Sequence, residues 1–215
     1  MILALPKGRI LKALTPVLEA TGLLSQPSPI DEKTRALRFP STESQLDIVR
    51  VRSFDVATFV AFGGADIGIC GSDVLTEFDY PEIYAPLDLE IGQCRISVAR
   101  HPRAGLRDEA PSSKIRIATK YPVTARAHFA SRGINAEIVH LHGAMELAPS
   151  LKMAHAIVDL VDTGTTLKAN GLEETDVIAH VSSRLIVNRI AMKTRPQAVS
   201  DLIDRFRKGL RSQKK

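Results

Sequence analysis

The 215-residue chain has no tryptophan, only two cysteines and an aromatic content of 5%. Two cysteines are too few for a disulfide-built scaffold. Cys70 and Cys94 each sit in an apolar run that reads as a buried strand, so they are expected as reduced core residues. No apolar run approaches the roughly 20 residues that span a bilayer. The opening, MILALPKGRI, holds five apolar residues before Pro6, Lys7 and Gly8. That is neither a secretory signal nor a membrane anchor, and a soluble, cytoplasmic protein is expected.

A distributed basic surface is also missing. The formal net charge is +5, which by itself suggests an anionic polymer as partner. Residues 205–215 (RFRKGLRSQKK), however, hold six basic residues and no acidic one, and the remainder carries 23 basic against 24 acidic residues. The excess belongs to the terminal segment, where cations suit a helix C-terminus. With no basic stripe interleaved with aromatics, no nucleic-acid partner is expected.

What is present is an alternation of short apolar runs with helical patterns, which predicts an α/β architecture. Strands are expected over residues 2–5, 46–51, 67–70, 94–99, 115–118, 138–141 and 156–161, with extended segments near 177–181 and 185–187. Ile10, Leu11, Leu14, Val17 and Leu18 share one helical face that stops at Gly22; Pro16 predicts a kink or a restart after Thr15. Ser53 and Ser72 stand where they would cap helices. A helix is expected over residues 121–131, ending at Gly133, and a closing amphipathic helix over 197–210, with a loop over 100–113. The composition changes near Pro86, so two α/β lobes are expected: residues 1–88 with 180–215, and residues 89–179. A cleft between lobes is the default ligand site in such folds.

Residues 156–170, AIVDLVDTGTTLKAN, carry the most chemistry. An apolar strand holds Asp159 near its end and Asp162 just past it, and Thr163, Gly164, Thr165 and Thr166 open the next helical segment. Glycine lets the backbone approach a ligand, and the free N–H groups of a helix start, with three hydroxyls, form a cradle for a phosphate monoester. The upstream acids are placed for sugar hydroxyls or a nearby magnesium ion. Phosphate plus sugar hydroxyls describe a phosphoribosyl group. The bland alternative is a capping threonine and two polar strand-end acids.

Beyond this segment the chain resembles the catalytic subunit of ATP phosphoribosyltransferase. The resemblance is carried, in order, by LALPKGRI (3–10), IVRVRSFDV (48–56), GGADIGICGSDVL (63–75), LDLEIGQCRISVA (87–99), RIATKYP (116–122), MELAP (145–149), VDTGTTLKAN (161–170) and SSRLIVN (182–188). Three positions depart from the family pattern: Lys152, where relatives usually have glycine; His155, in a segment that tends to be acidic; and Thr165, commonly basic.

The resemblance implies a two-lobed, periplasmic-binding-protein-like (type II) α/β fold with mixed sheets. It also implies the first step of histidine biosynthesis, in which N1 of ATP displaces magnesium-bound pyrophosphate from phosphoribosyl pyrophosphate. Asp162, Thr163, Gly164, Thr165 and Thr166 would then hold the 5′-phosphate end, and Asp159 the ribose or Mg2+. Lys7, Gly8 and Arg9 would reach ATP or pyrophosphate, and Arg35 the nucleotide. Arg50 and Arg52, expected on one strand face, would stabilise the departing pyrophosphate, Arg52 foremost. Glu146 would orient adenine, accept a proton or cap a helix. Tyr121 reads as a half-buried core residue, and His140 and His142 as structural. The length implies the short form, which works as a homo-oligomer and with a regulatory subunit resembling histidyl-tRNA synthetase. A phosphoribosyltransferase for another base, and a non-catalytic small-ligand-binding protein of the same fold, are the alternatives.

Overall fold

The computed structural model describes residues 1–31, 33–102 and 114–213. Most of the loop expected over 100–113 lies outside these residues, as do the last two residues of the basic tail.

Strand β1 (Ile2–Pro6) forms from the opening apolar run, and helix α1 (Arg9–Thr21) follows. The restart expected after Thr15 does not occur, and α1 runs through Pro16 as one helix. A helix-interior proline costs about 3 kcal/mol. Leu11, Leu14, Val17 and Leu18 are all buried on one face, and each contributes about 1.5–3 kcal/mol, so burial wins. Gly22 ends the helix at φ 68°, its N–H donating to the Glu19 carbonyl.

Strands β2 (Arg38–Pro40), β3 (Asp47–Val51), β4 (Ile67–Gly71) and β5 (Ile83–Asp88) join β1 and the late strand β11 (Ser183–Asn188) in a six-stranded mixed sheet, ordered β2-β3-β1-β4-β11-β5. Pro86 lies inside the edge strand β5, where a missing amide is tolerated. Alternation splits this sheet into two faces. Leu3, Leu5, Ile67, Ile69, Leu185 and Val187 share one core with α1 and with α8 (Pro196–Gln213). Ala4, Cys70 and Ile186 share the other with α2 (Val56–Ala61) and α3 (Ser72–Phe78). At Gly68 an added Cβ would stand 2.7 and 2.8 Å from methyls of Val56 and Val60, so only glycine lets α2 lie this close. Helix α7 (Arg189–Thr194) is capped by the Asn188 side chain, which accepts from the amides of Ile190 and Ala191.

Neither serine expected as a cap serves as one. Ser53 lies inside a 3-10 turn (Ser53–Asp55), its hydroxyl 3.5 Å from the Lys7 carbonyl. Ser72 is the first residue of α3, and its hydroxyl accepts from the Ser182 amide. Tertiary partners claimed both hydroxyls.

The second sheet is ordered β10-β6-β9-β7-β8, from β6 (Cys94–Arg100), β7 (Ile115–Thr119), β8 (Ala136–His140), β9 (Ala156–Val161) and β10 (Glu173–Val181). Helix α4 (Pro122–Ala130) covers the face of Ile96, Val98, Ile117 and Val158 through Ala125 and Phe129. The short helices α5 (Leu147–Ser150) and α6 (Thr165–Ala169) cover the face of Ala99, Ala118, Ile157 and Val161. The chain accordingly divides into two compact units, residues 1–92 with 182–215 and residues 93–181. Cys70 and Cys94 are both free thiols, one in each unit. Among the described residues no helix is long and apolar enough to cross a membrane.

Candidate functional site

Strands β7 and β9 are parallel neighbours, so their C-terminal ends open on the same sheet edge. From that edge β9 delivers Asp159, then Asp162 and the loop into α6. Gly164 adopts φ 77°, ψ 5°, a left-handed conformation that glycine accepts without strain. The first amide to bond within the turn is that of Lys168, donating to the Gly164 carbonyl at 3.1 Å. The Thr165 amide reaches only the Thr163 hydroxyl, at 3.4 Å, and the Thr163 and Thr165 hydroxyls lie 2.9 Å apart. The amides of Thr166 and Leu167 have no partner among the described residues. The expected cradle of N–H groups and hydroxyls is therefore assembled. Its attraction for an anion rests on these local donors, because a five-residue helix carries little macrodipole.

The surroundings of Asp159 come from other elements of the sheet.

 Lys120, just past the end of β7, places its Nζ 3.6 Å from the Asp159 carboxylate and over the Tyr121 ring. Burial pushes the Asp159 carboxyl above the ordinary carboxylate range. Lys120 and the Leu160 amide pull it back, and the carboxylate of Glu146 adds to the rise. Glu146 immediately precedes α5 and does not cap it, since its side chain makes no capping hydrogen bond. Lys120, Asp159 and Glu146 thus form one charged group, and Lys120 was not singled out in the sequence. The signal was there only as proximity to Tyr121 in RIATKYP; its pairing with Asp159 comes from the β7–β9 register.

Tyr121 is fully buried rather than half-buried, at the residue before α4. The rings of His140 and His142 are tilted by 50° with their centroids 4.8 Å apart, and among the described residues no group of three or more His, Cys, Asp or Glu is disposed to hold a metal ion. His155 accepts a hydrogen bond at Nδ1 from the Arg116 amide while its own amide donates to the Arg116 carbonyl, so it ties the start of β9 to β7. Lys152 has φ 58°. That is why a glycine suits the position, and why lysine is strained there.

In the other unit, Lys7, Gly8 and Arg9 follow β1, with Gly8 at φ 83° at the start of α1. All three are exposed, as are Arg35 and Arg52. The expectation that Arg50 and Arg52 share a strand face and a task is corrected. Arg52 stands one residue past β3 and its side chain has no partner among the described residues. Arg50 is buried; its guanidinium donates to the carbonyls of Pro29, Asp31 and Thr34 at 2.7–2.8 Å and lies over the Phe39 ring. A cation already surrounded by backbone carbonyls is not free to meet a leaving group. A cavity of about 580 Å³ in the same unit is lined by Met1, Leu46, Arg195, Asp201 and Arg205, and by none of the expected site residues.

The model of the family HisG, ATP phosphoribosyltransferase, matches residues 52–208. The ATP phosphoribosyltransferase of Gluconobacter oxydans is 67% identical over 99% of this chain and 88% of its own length. That of Paramagnetospirillum magneticum is 58% identical over 97% and 96%. Among solved structures, the ATP phosphoribosyl transferase (HisG:HisZ) complex from Thermotoga maritima matches with TM-score 0.85 and 30% identity over the whole of both chains. The periplasmic aliphatic sulphonate binding protein SsuA from Escherichia coli matches at TM-score 0.61 and 12% identity, covering 74% of that chain, a likeness of fold alone.

Proposed function

The chain belongs to the ATP phosphoribosyltransferase family, and from that premise we propose how its own residues divide the work. The activity is transfer of the phosphoribosyl group of phosphoribosyl pyrophosphate to N1 of ATP, with release of pyrophosphate, at the first step of histidine biosynthesis. The fold is shared with solute-binding proteins and does not choose the reaction; the family and the loop do.

The observation that carries the residue assignment is the turn from β9 into α6, where the amides of Thr166 and Leu167, without a partner among the described residues, share one turn with the hydroxyl-bearing Thr163, Thr165 and Thr166. These donors take the 5′-phosphate, and Gly164 lets the backbone come close. Asp162 and Asp159 face the ribose hydroxyls. Buried beside Lys120, Asp159 is held in one orientation for that task. Glu146 lies close enough to feel Asp159's charge and orients the adenine edge or takes its proton. Magnesium enters with the pyrophosphate, as part of the substrate.

Lys7, Gly8 and Arg9 take phosphates of ATP or pyrophosphate, and Arg35 the nucleotide. Arg52, exposed and without a partner among the described residues, stabilises the negative charge that collects on the leaving group, worth about 2.7–4 kcal/mol for one well-aimed donor. Arg50 acts one step back, by holding the carbonyls of Pro29, Asp31 and Thr34, just ahead of Arg35 in the chain. By likeness to the HisG:HisZ complex, the chain works in a hetero-oligomer with a regulatory subunit of the histidyl-tRNA-synthetase type, in the cytoplasm.

The test is to mix the purified chain with ATP, phosphoribosyl pyrophosphate, Mg2+ and pyrophosphatase, with and without the regulatory subunit, and to follow N1-phosphoribosyl-ATP by ultraviolet absorbance and mass. Adduct formation supports the reading. No adduct under either condition overturns it.

A further inference from the structure

Behind the loop stands a group of side chains that the proposed contacts leave unexplained. Arg95, on β6, pairs across the sheet with Val161, the last residue of β9. Its side chain therefore starts beside the point where the strand becomes the loop. Ser97 pairs with Asp159 on the same strand, and Glu174, on β10, pairs with Ala99. Residues 95, 97 and 99 alternate onto one face, so the three polar groups meet.

The guanidinium of Arg95 divides its donors. Nε and Nη2 donate to the two oxygens of Glu174, and Nη1 donates to the Asp162 carbonyl at 2.9 Å. Ser97, fully buried, donates its hydroxyl to Glu174 Oε1 at 2.7 Å. A bidentate carboxylate fixes the plane of a guanidinium, and the remaining donor then has no rotational freedom. The Asp162 carbonyl is thereby set at one place. Within the loop itself, the Thr163 and Thr165 hydroxyls lie 2.9 Å apart and the Gly164 carbonyl accepts from the Lys168 amide.

We propose that Arg95 is a positioning residue for phosphoribosyl pyrophosphate: by gripping the Asp162 carbonyl it aims the amides and hydroxyls of residues 163–167 at the 5′-phosphate, and Glu174 with Ser97 keeps Arg95 in that grip. The proposal rests on the reading of this loop as the phosphate cradle. A cradle of single N–H donors tolerates only about 0.5 Å of error before its hydrogen bonds weaken, so the anchor governs affinity for the phosphate end. The hydrogen bonds from Arg95 and Ser97 also hold the Glu174 carboxyl below its ordinary range, so it stays ionised at neutral pH. Lysine at position 95 keeps the charge but has one nitrogen and cannot hold Glu174 on both oxygens while reaching Asp162.

The experiment is steady-state kinetics of the chain with its regulatory subunit, varying phosphoribosyl pyrophosphate and ATP separately, for wild type, Arg95→Ala, Arg95→Lys and Glu174→Gln. Arg95→Ala is expected to raise KM for phosphoribosyl pyrophosphate by about tenfold or more, with KM for ATP and kcat changing by less than about threefold. Arg95→Lys should not restore affinity, and Glu174→Gln should fall between it and wild type. If Arg95→Ala does not fold, Glu174→Gln decides by the same split. A working wild type with unchanged KM in the variants overturns the clamp alone, as does full rescue by lysine or a parallel rise in both KM values. A wild type that forms no adduct overturns the reading of the loop and the clamp with it.

Discussion

Arg50→Ala and Arg52→Ala are expected to fail in different assays. At position 50 the wild-type side chain makes three short hydrogen bonds to the carbonyls of Pro29, Asp31 and Thr34, a long one of 3.4 Å to Ala36, and a contact over the Phe39 ring at 5.2 Å. The three short bonds are worth about 1 kcal/mol each once the freed carbonyls rehydrate, and the ring contact about 0.5–1 kcal/mol. Against this, the buried Nε already lacks an acceptor, which discounts the total. Arg50→Ala should therefore cost about 3 kcal/mol, or about 6–12 °C in the transition of its unit at the 2–4 °C per kcal/mol of a chain this size. Arg52 has no such partners among the described residues, so Arg52→Ala should move Tm by no more than about 1 °C. Its loss should appear as a fall in kcat of about 100-fold or more, the effect of removing one aimed donor from developing charge. The measurements are thermal unfolding by circular dichroism and initial rates of adduct formation. An Arg50→Ala protein with unchanged Tm and a collapsed kcat would refute the reasoning, since it would make Arg50 the leaving-group cation.

Two further outcomes follow from local geometry. Lys152→Gly should raise Tm by about 2–4 °C, because about 1 kcal/mol of left-handed strain at φ 58° is relieved; Lys152→Ala should give no gain, and an equal gain from both would assign the effect to charge instead. His128 is buried beside Arg132, and both push its pKa below the ordinary 6.5, outweighing Asp176 at 3.1 Å. The folded state then binds fewer protons than the unfolded one, so this contribution is complete above pH 6.5 and is lost as pH falls through the lowered folded value. Tm measured from pH 7 to pH 5 should decline less steeply in His128→Gln than in wild type, and equal slopes would exclude His128 as the cause.

Periodicity alone marked β1, β9, the amphipathic stripe of α1 and the buried face of α8, because burial acts on side chains two or about four residues apart and leaves that spacing in the chain. The order strand, acid, acid, TGTT, helix was equally legible, since glycine and hydroxyl residues at a turn report backbone conformation directly. Arg50 and Arg52 look alike in sequence. They differ because the carbonyls of Pro29, Asp31 and Thr34 surround one and leave the other exposed, and the sequence names no partner for a buried donor. The same limit hid the pairing of Arg95 with Glu174, 79 residues away, and that of Lys120 with Asp159, both made by strand register. Pro16 was tolerated because α1 buries its face against the sheet, a gain that local propensity does not contain. What the sequence determined by itself was which segments bury which faces, and where a phosphate could be met. The tertiary structure decided which charges are spent on holding the protein together and which remain free, because that depends on contacts between segments distant in the chain.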